Sequence, residues 1–188
     1  MTSTRKFSLF TVGAFISAAL YAILFFLNDW LSEALKYDLG VSWVYLPAGL
    51  RLFLILIFGL PGAIGIAFAS FAISYFGAFP SDLVTCMGIG LISGFAPLLA
   101  MRTVLSNIHI SNDLSNLSRQ KIILCVLVYA LMSAGLHQLW FELRGLESGS
   151  LNHFLVMFIG DVLGSVVLIA LVKYGIDVIK RSRLKVNN

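Results

Sequence analysis

This sequence is poor in charge. Only 12% of its 188 residues are Asp, Glu, Lys or Arg, against ~25% in a typical soluble domain. With 59% apolar residues and a mean hydropathy of +0.94, too little polar surface remains to coat a core in water. A water-soluble domain is excluded, and lipid is the expected solvent. Cysteine is scarce too. Cys86 and Cys125 lie in separate apolar runs, away from any thiol partner or ligand spacing, so both are expected as small buried hydrophobes and no disulfide framework is expected.

The three histidines include no HxxxH or HExxH pattern, so no metal site and no cofactor are expected. A GxSxG elbow and a Walker loop are also missing, and no nucleophile stands near a base in sequence. A non-catalytic protein is expected. The net charge of +4 is small, and the short basic tail suits anionic lipid headgroups and not nucleic acid.

What the sequence does have is long apolar runs. Phe7–Leu27 holds 21 uncharged residues after Arg5 and Lys6. That exceeds the ~7–15 residue core of a signal peptide and meets the ~20 residues a spanning helix needs, so an uncleaved first helix is expected. Five further spans follow at about 44–60, 62–79, 83–101, 122–141 and 153–175. Pro47 falls in the opening turn of the second, where a missing N–H is tolerated. Leu60-Pro61-Gly62 breaks the second from the third, and Pro80-Ser81-Asp82 the third from the fourth. The segment after the first span carries Asp29, Glu33, Lys36 and Asp38, and is expected to be partly helical at the interface beside Trp30 and Trp43. The expected fold is all-α: one domain, a polytopic bundle of about six transmembrane helices.

Charge placement orients it. Lys and Arg gather before the first span (Arg5, Lys6), between the fourth and fifth (Arg102, Arg119, Lys121) and after the sixth (Lys180, Arg181, Arg183, Lys185). The remaining loops hold Asp29, Glu33, Asp38, Asp82, Glu142 and Glu147 against Lys36 and Arg144. Basic loops stay cytoplasmic, which places both termini on the cytoplasmic side.

Ionisable residues inside spans are costly and usually functional or paired. Arg51 lies in the second span and Asp161 in the sixth, both roughly 10–12 Å below the outer boundary at 1.5 Å per residue. Two readings are open: an ion pair locking the two helices, or the polar floor of a ligand cavity open to the outer face. His137 and Gln138, beside Trp140, sit near the outer end of the fifth span. They either line the rim of that cavity or mark the membrane boundary. His153 at the mouth of the sixth is similarly placed. Small residues recur every fourth position at Ala14, Ala18 and Ala22, at Gly90 and Gly94, and at Gly160 and Gly164. Such faces let helices approach closely in lipid. The first is also a candidate face for a partner's helix, and the last flanks Asp161 so that a neighbour can reach it.

Tyr45-Leu46-Pro47-Ala48-Gly49-Leu50-Arg51, then Phe58-Gly59 and Gly62-Ala63-Ile64-Gly65, and finally Phe158-Ile159-Gly160-Asp161-Val162-Leu163-Gly164 resemble the bacterial membrane-associated sensor domains of the MASE type. The resemblance covers roughly residues 43–66 and 154–172. It implies a bacterial inner-membrane module that perceives a signal. In that family the module precedes a histidine kinase or diguanylate cyclase. A standalone copy of the module, without such an output domain, is expected here, and it would signal through a partner protein. Six short helices, an alanine-repeat first helix and an outward polar site also look like the substrate-capture subunits of energy-coupling-factor transporters. On that likeness Ala14, Ala18 and Ala22 would meet the coupling subunit, and Arg51 and Asp161 would lie near the solute.

Overall fold

The computed structural model describes residues 3–31, 36–38, 40–78, 82–107, 119–146 and 150–186; Glu33, Phe79, Pro80, Ser81, Glu147 and the Ser- and Asn-rich stretch 108–118 lie outside them. Six helices make up the fold: α1 (Ser3–Leu31), α2 (Leu46–Phe58), α3 (Leu60–Ile73), α4 (Leu83–Asn107), α5 (Arg119–Leu143) and α6 (Leu151–Val186). A π-helical turn, Ser74–Ala78, continues α3. The fold is all-α apart from an antiparallel hairpin of two short strands, β1 (Lys36–Asp38) and β2 (Val41–Ser42).

Among the described residues, five helical stretches are long and apolar enough to cross a membrane: Phe7–Leu31, Leu60–Gly77, Leu83–Val104, Gln120–Leu143 and Leu151–Ser182. The chain is a multi-pass membrane protein. Large apolar side chains such as Phe7, Phe15, Phe68, Phe76 and Leu151 point outward, as hydrocarbon solvation allows.

Several boundaries depart from the expectation. α2 holds 13 residues, about 20 Å at 1.5 Å each, short of the ~30 Å hydrocarbon core. Val44 and Tyr45, expected within that span, lead into it as non-helical chain. The break before α3 falls at Gly59, where φ is +61°. Only a residue without Cβ takes that conformation cheaply, and Pro61 then sits harmlessly in the first turn of α3. After α1 the chain forms a β-hairpin instead of an interfacial helix. α4 and α6 run past the apolar runs that located them, because hydropathy reports contact with lipid and a helix continues into water.

Contacts show helices consecutive in sequence running antiparallel, while α1 packs parallel to α3 and α2 to α6. Leu46 N–H donates to Asn28 Oδ1 (2.9 Å), Ser70 pairs with Ser93 (2.9 Å), and Trp140 Nε1 donates to the Thr85 carbonyl (3.0 Å). The small-residue faces carry close approaches. Gly65 of α3 abuts the Ala14 carbonyl and the Ala18 N–H of α1, while Gly90 and Gly94 of α4 meet the backbone at Ala67 and Ala63. Gly160 and Gly164 of α6 lie against the carbonyls of Ser42 and Tyr45, and Tyr45 N–H donates to the Gly160 carbonyl at 3.1 Å. Ala14 and Ala18 of the alanine face thus serve helix packing, meeting α3 at Gly65.

A buried arginine cluster and its cavity

Arg51 sits on α2 one turn beyond Pro47, and α2 points it into the bundle. Only 3% of the residue is exposed. Its Nη2 donates to Tyr21 Oη of α1 at 2.6 Å and to Tyr45 Oη at 3.1 Å, and the two hydroxyls lie 3.0 Å apart. Both rings also stack under the guanidinium, each centroid 5.1 Å from Cζ. Desolvated cation–π contacts of this kind contribute up to about 2 kcal/mol. Two tyrosines thereby hold a cation that the protein itself has largely buried.

The expected direct ion pair is not formed. Among the described residues, the salt bridges are Lys36–Asp29, Arg144–Asp82 and His153–Asp38. Asp161 is fully buried and within electrostatic reach of Arg51, with Tyr129 in the same field. Ser133 is placed toward the Asp161 carboxylate and Tyr129 toward Arg51, yet neither carboxylate oxygen, nor Arg51 Nε or Nη1, nor Tyr129 Oη, Ser133 Oγ or Gln138 Oε1, makes a well-formed hydrogen bond within the protein. The two charges share one buried centre, while the tyrosines, by claiming Nη2, hold the guanidinium off the carboxylate. Donors and acceptors left this way each cost about 1–3 kcal/mol, more when charged. Such groups are satisfied in proteins by water or by a bound molecule.

A cavity of about 1490 Å³ opens beside this cluster. Arg51, Tyr21, Tyr45, Ser70, Ser93 and His137 give its wall polar groups, among apolar ones such as Ile89, Phe141 and Met157. The hairpin residues Lys36, Tyr37 and Asp38 line its mouth, and the π-helical Ser74, Phe76 and Gly77 border it on α3. Single π turns inside α-helices are frequent at functional sites.

His137 is 2% exposed and turned into the bundle. Its Nδ1 meets the Ser133 carbonyl at 2.8 Å, which fixes the proton there, and leaves Nε2 to accept from Ser93 Oγ at 3.4 Å. Gln138 is also buried; it turns toward α6, and its Nε2 donates to Met157 Sδ at 3.6 Å. Trp140 is half-buried and packs on Gly88 while bonding to Thr85. His153 bonds Asp38 at 2.7 Å and meets the Tyr37 ring edge-on, tying the start of α6 to β1. Among the described residues no three His, Cys, Asp or Glu stand together as a metal site.

Tyr21, Tyr45, Ser70 and Ser93 are site residues that sequence reasoning missed. Tyrosine and serine are ordinary inside apolar helices, and nothing in their spacing singles them out. One signal was present: Ser93 adjoins Gly94 on the small-residue face of α4, which guarantees it a close neighbour.

No family model, no curated protein and no solved structure matches this chain.

Proposed function

We propose that this protein is a non-catalytic membrane receptor module, sensor-like in the manner of the MASE-type domains it resembles. It binds a ligand in the Arg51 cavity and passes the bound state to a partner protein. The observation that carries this is the guanidinium itself: buried, held by two tyrosine hydroxyls on one nitrogen, without a salt bridge to Asp161, and lining a cavity. A merely structural arginine would be expected to close on Asp161. The site also has a route outward. Asp161 lies on α6, whose 36 residues extend about 54 Å at 1.5 Å each, well beyond a ~30 Å hydrocarbon layer. A change at the carboxylate can therefore be conveyed along one continuous helix to the basic end carrying Lys180 and Arg181.

The layout that goes with this is six crossings, α2 being the short one, in a bacterial inner membrane with both termini cytoplasmic. The distribution of Lys and Arg supports it. The transporter alternative rests on an alanine face open to a coupling subunit; because Ala14 and Ala18 already meet α3 at Gly65, leaving Ala22 as the member of that face without such a contact, we favour the sensor-like reading.

The test is a thermal-stability screen of the purified protein against water-soluble anions and membrane amphiphiles. A ligand at 100 times its Kd stabilises by about 2.7 kcal/mol. At least one compound is expected to raise Tm in the wild type and not in the Arg51→Gln/Asp161→Asn variant. A screen in which nothing shifts Tm, or in which every shift persists in that variant, would count against the proposal.

A further inference from the structure

The cavity does not end at the polar cluster. Its lining continues along α1 and α3 through Ala19, Ala22, Phe26, Ile64 and Phe68 to Phe76 at the π-helical turn. Phe26, Phe68 and Phe76 are exposed, on flanks that face hydrocarbon in a membrane. The site is therefore a polar head pocket joined to an apolar groove on the lipid side of the α1–α3 pair. Its volume of about 1490 Å³ exceeds the ~300–1,000 Å³ usual for compact small-molecule pockets, as suits an elongated occupant.

Chemistry at the head end narrows the class. A guanidinium only donates, so whatever meets Arg51 supplies acceptor oxygens. Charge adds a sign. Arg51 is the deep cation of the lining, while Lys36 at the mouth is paired with Asp29 at 2.7 Å. Asp161 lies outside the cavity lining and makes no salt bridge to Arg51 within 4.0 Å. Charge-assisted bonds from guanidinium to carboxylate are roughly twice as strong as neutral ones. The hydroxyls of Ser70 and Ser93 beside it add polar partners that tolerate either a donor or an acceptor.

We infer that the cavity takes a single-chain carboxylate amphiphile, of fatty-acid chemistry, with its head on Arg51 and its chain along the α1–α3 groove, entering from the bilayer. This rests on the ligand-binding function proposed above and names the ligand class.

The experiment measures binding of three probes to the full-length protein in saturated phosphatidylcholine nanodiscs by native mass spectrometry: hexadecanoate, hexadecanol and butyrate. Hexadecanoate is expected to bind about tenfold or more tightly than hexadecanol, the equivalent of one charge-assisted bond, and to outcompete butyrate by more. Ala22→Trp, which fills the groove, is expected to weaken hexadecanoate about tenfold and to leave butyrate unchanged. Arg51→Gln/Asp161→Asn is expected to erase the preference for acid over alcohol. The wild-type comparison alone decides should either variant fail to fold. Equal binding of acid and alcohol, or none of the three binding, would overturn the inference. Butyrate binding as tightly as hexadecanoate would also overturn it, while leaving a ligand-binding role intact; only the broader stability screen can sink both.

Discussion

Arg51 gives one guanidinium nitrogen to two phenol oxygens, and its place in the bundle depends on both. A lone guanidinium and a lone carboxylate in apolar helices were visible as charges that need company, and the fold does bring Arg51 and Asp161 to one buried centre. What the sequence could not disclose is that Tyr21 and Tyr45 reach the guanidinium first, because a tyrosine in an apolar run carries no signal of where its hydroxyl points. Removing the guanidinium strands Asp161 and both phenols. Arg51→Ala is expected to cost about 2–4 kcal/mol, with Arg51→Ala/Asp161→Asn recovering part of the loss. Thermal melts in detergent check this, and a double variant less stable than the single one would contradict it. The glycines beside Asp161 make a second residue-level case. A Cβ at Gly164 would meet the Tyr45 carbonyl, whereas Gly175 has open space around it. Gly164→Ala is expected to cost about 1–3 kcal/mol by overpacking and Gly175→Ala to be neutral or stabilising, again read as Tm.

Among the elements, the join between the start of α4 and the end of α5 is chemically the best defined. Asp82 precedes α4 and accepts the Thr85 N–H at 2.8 Å together with the Thr85 hydroxyl. Arg144, just past α5, donates from Nη2 to Asp82 and from Nε to Thr85 Oγ1, each at 2.9 Å. The Thr85 hydroxyl first, then its N–H and Arg144, hold the Asp82 carboxyl below its usual range. A carboxyl lowered in the folded state contributes stability above its unfolded value, ~3.9, and the contribution fades as pH falls through the lower folded value. Wild-type Tm is expected to drop below about pH 4 more steeply than that of Asp82→Asn, and parallel acid profiles would contradict this. Of the elements themselves, the long apolar runs revealed α1, α3, α4, α5 and α6, since lipid contact is what hydropathy measures. The β-hairpin at residues 36–42 and the π-helical turn at Ser74–Ala78 escaped notice. Three-residue strands have no period to read, and a π turn is set by packing.

For the whole molecule, the six-crossing layout makes a mapping prediction. In a background lacking Cys86 and Cys125, cysteines placed at Arg5 and Ser182 are expected to resist a membrane-impermeant maleimide in intact cells. Those at Lys36 and Ser150 are expected to react. Labelling of Arg5 and Ser182 on opposite sides would contradict the layout and, with it, the common depth of Arg51 and Asp161. Consecutive helices that run antiparallel explain how residues from α1, α2, α4 and α5 converge on one cavity although they lie far apart in sequence. The most direct test of that cavity is a structure determined by electron microscopy in native lipid nanodiscs. Arg51 is expected to be fixed between Tyr21 and Tyr45, apart from Asp161, with added density beside it inside the cavity. A guanidinium bonded straight to the Asp161 carboxylate over a collapsed cavity would contradict it.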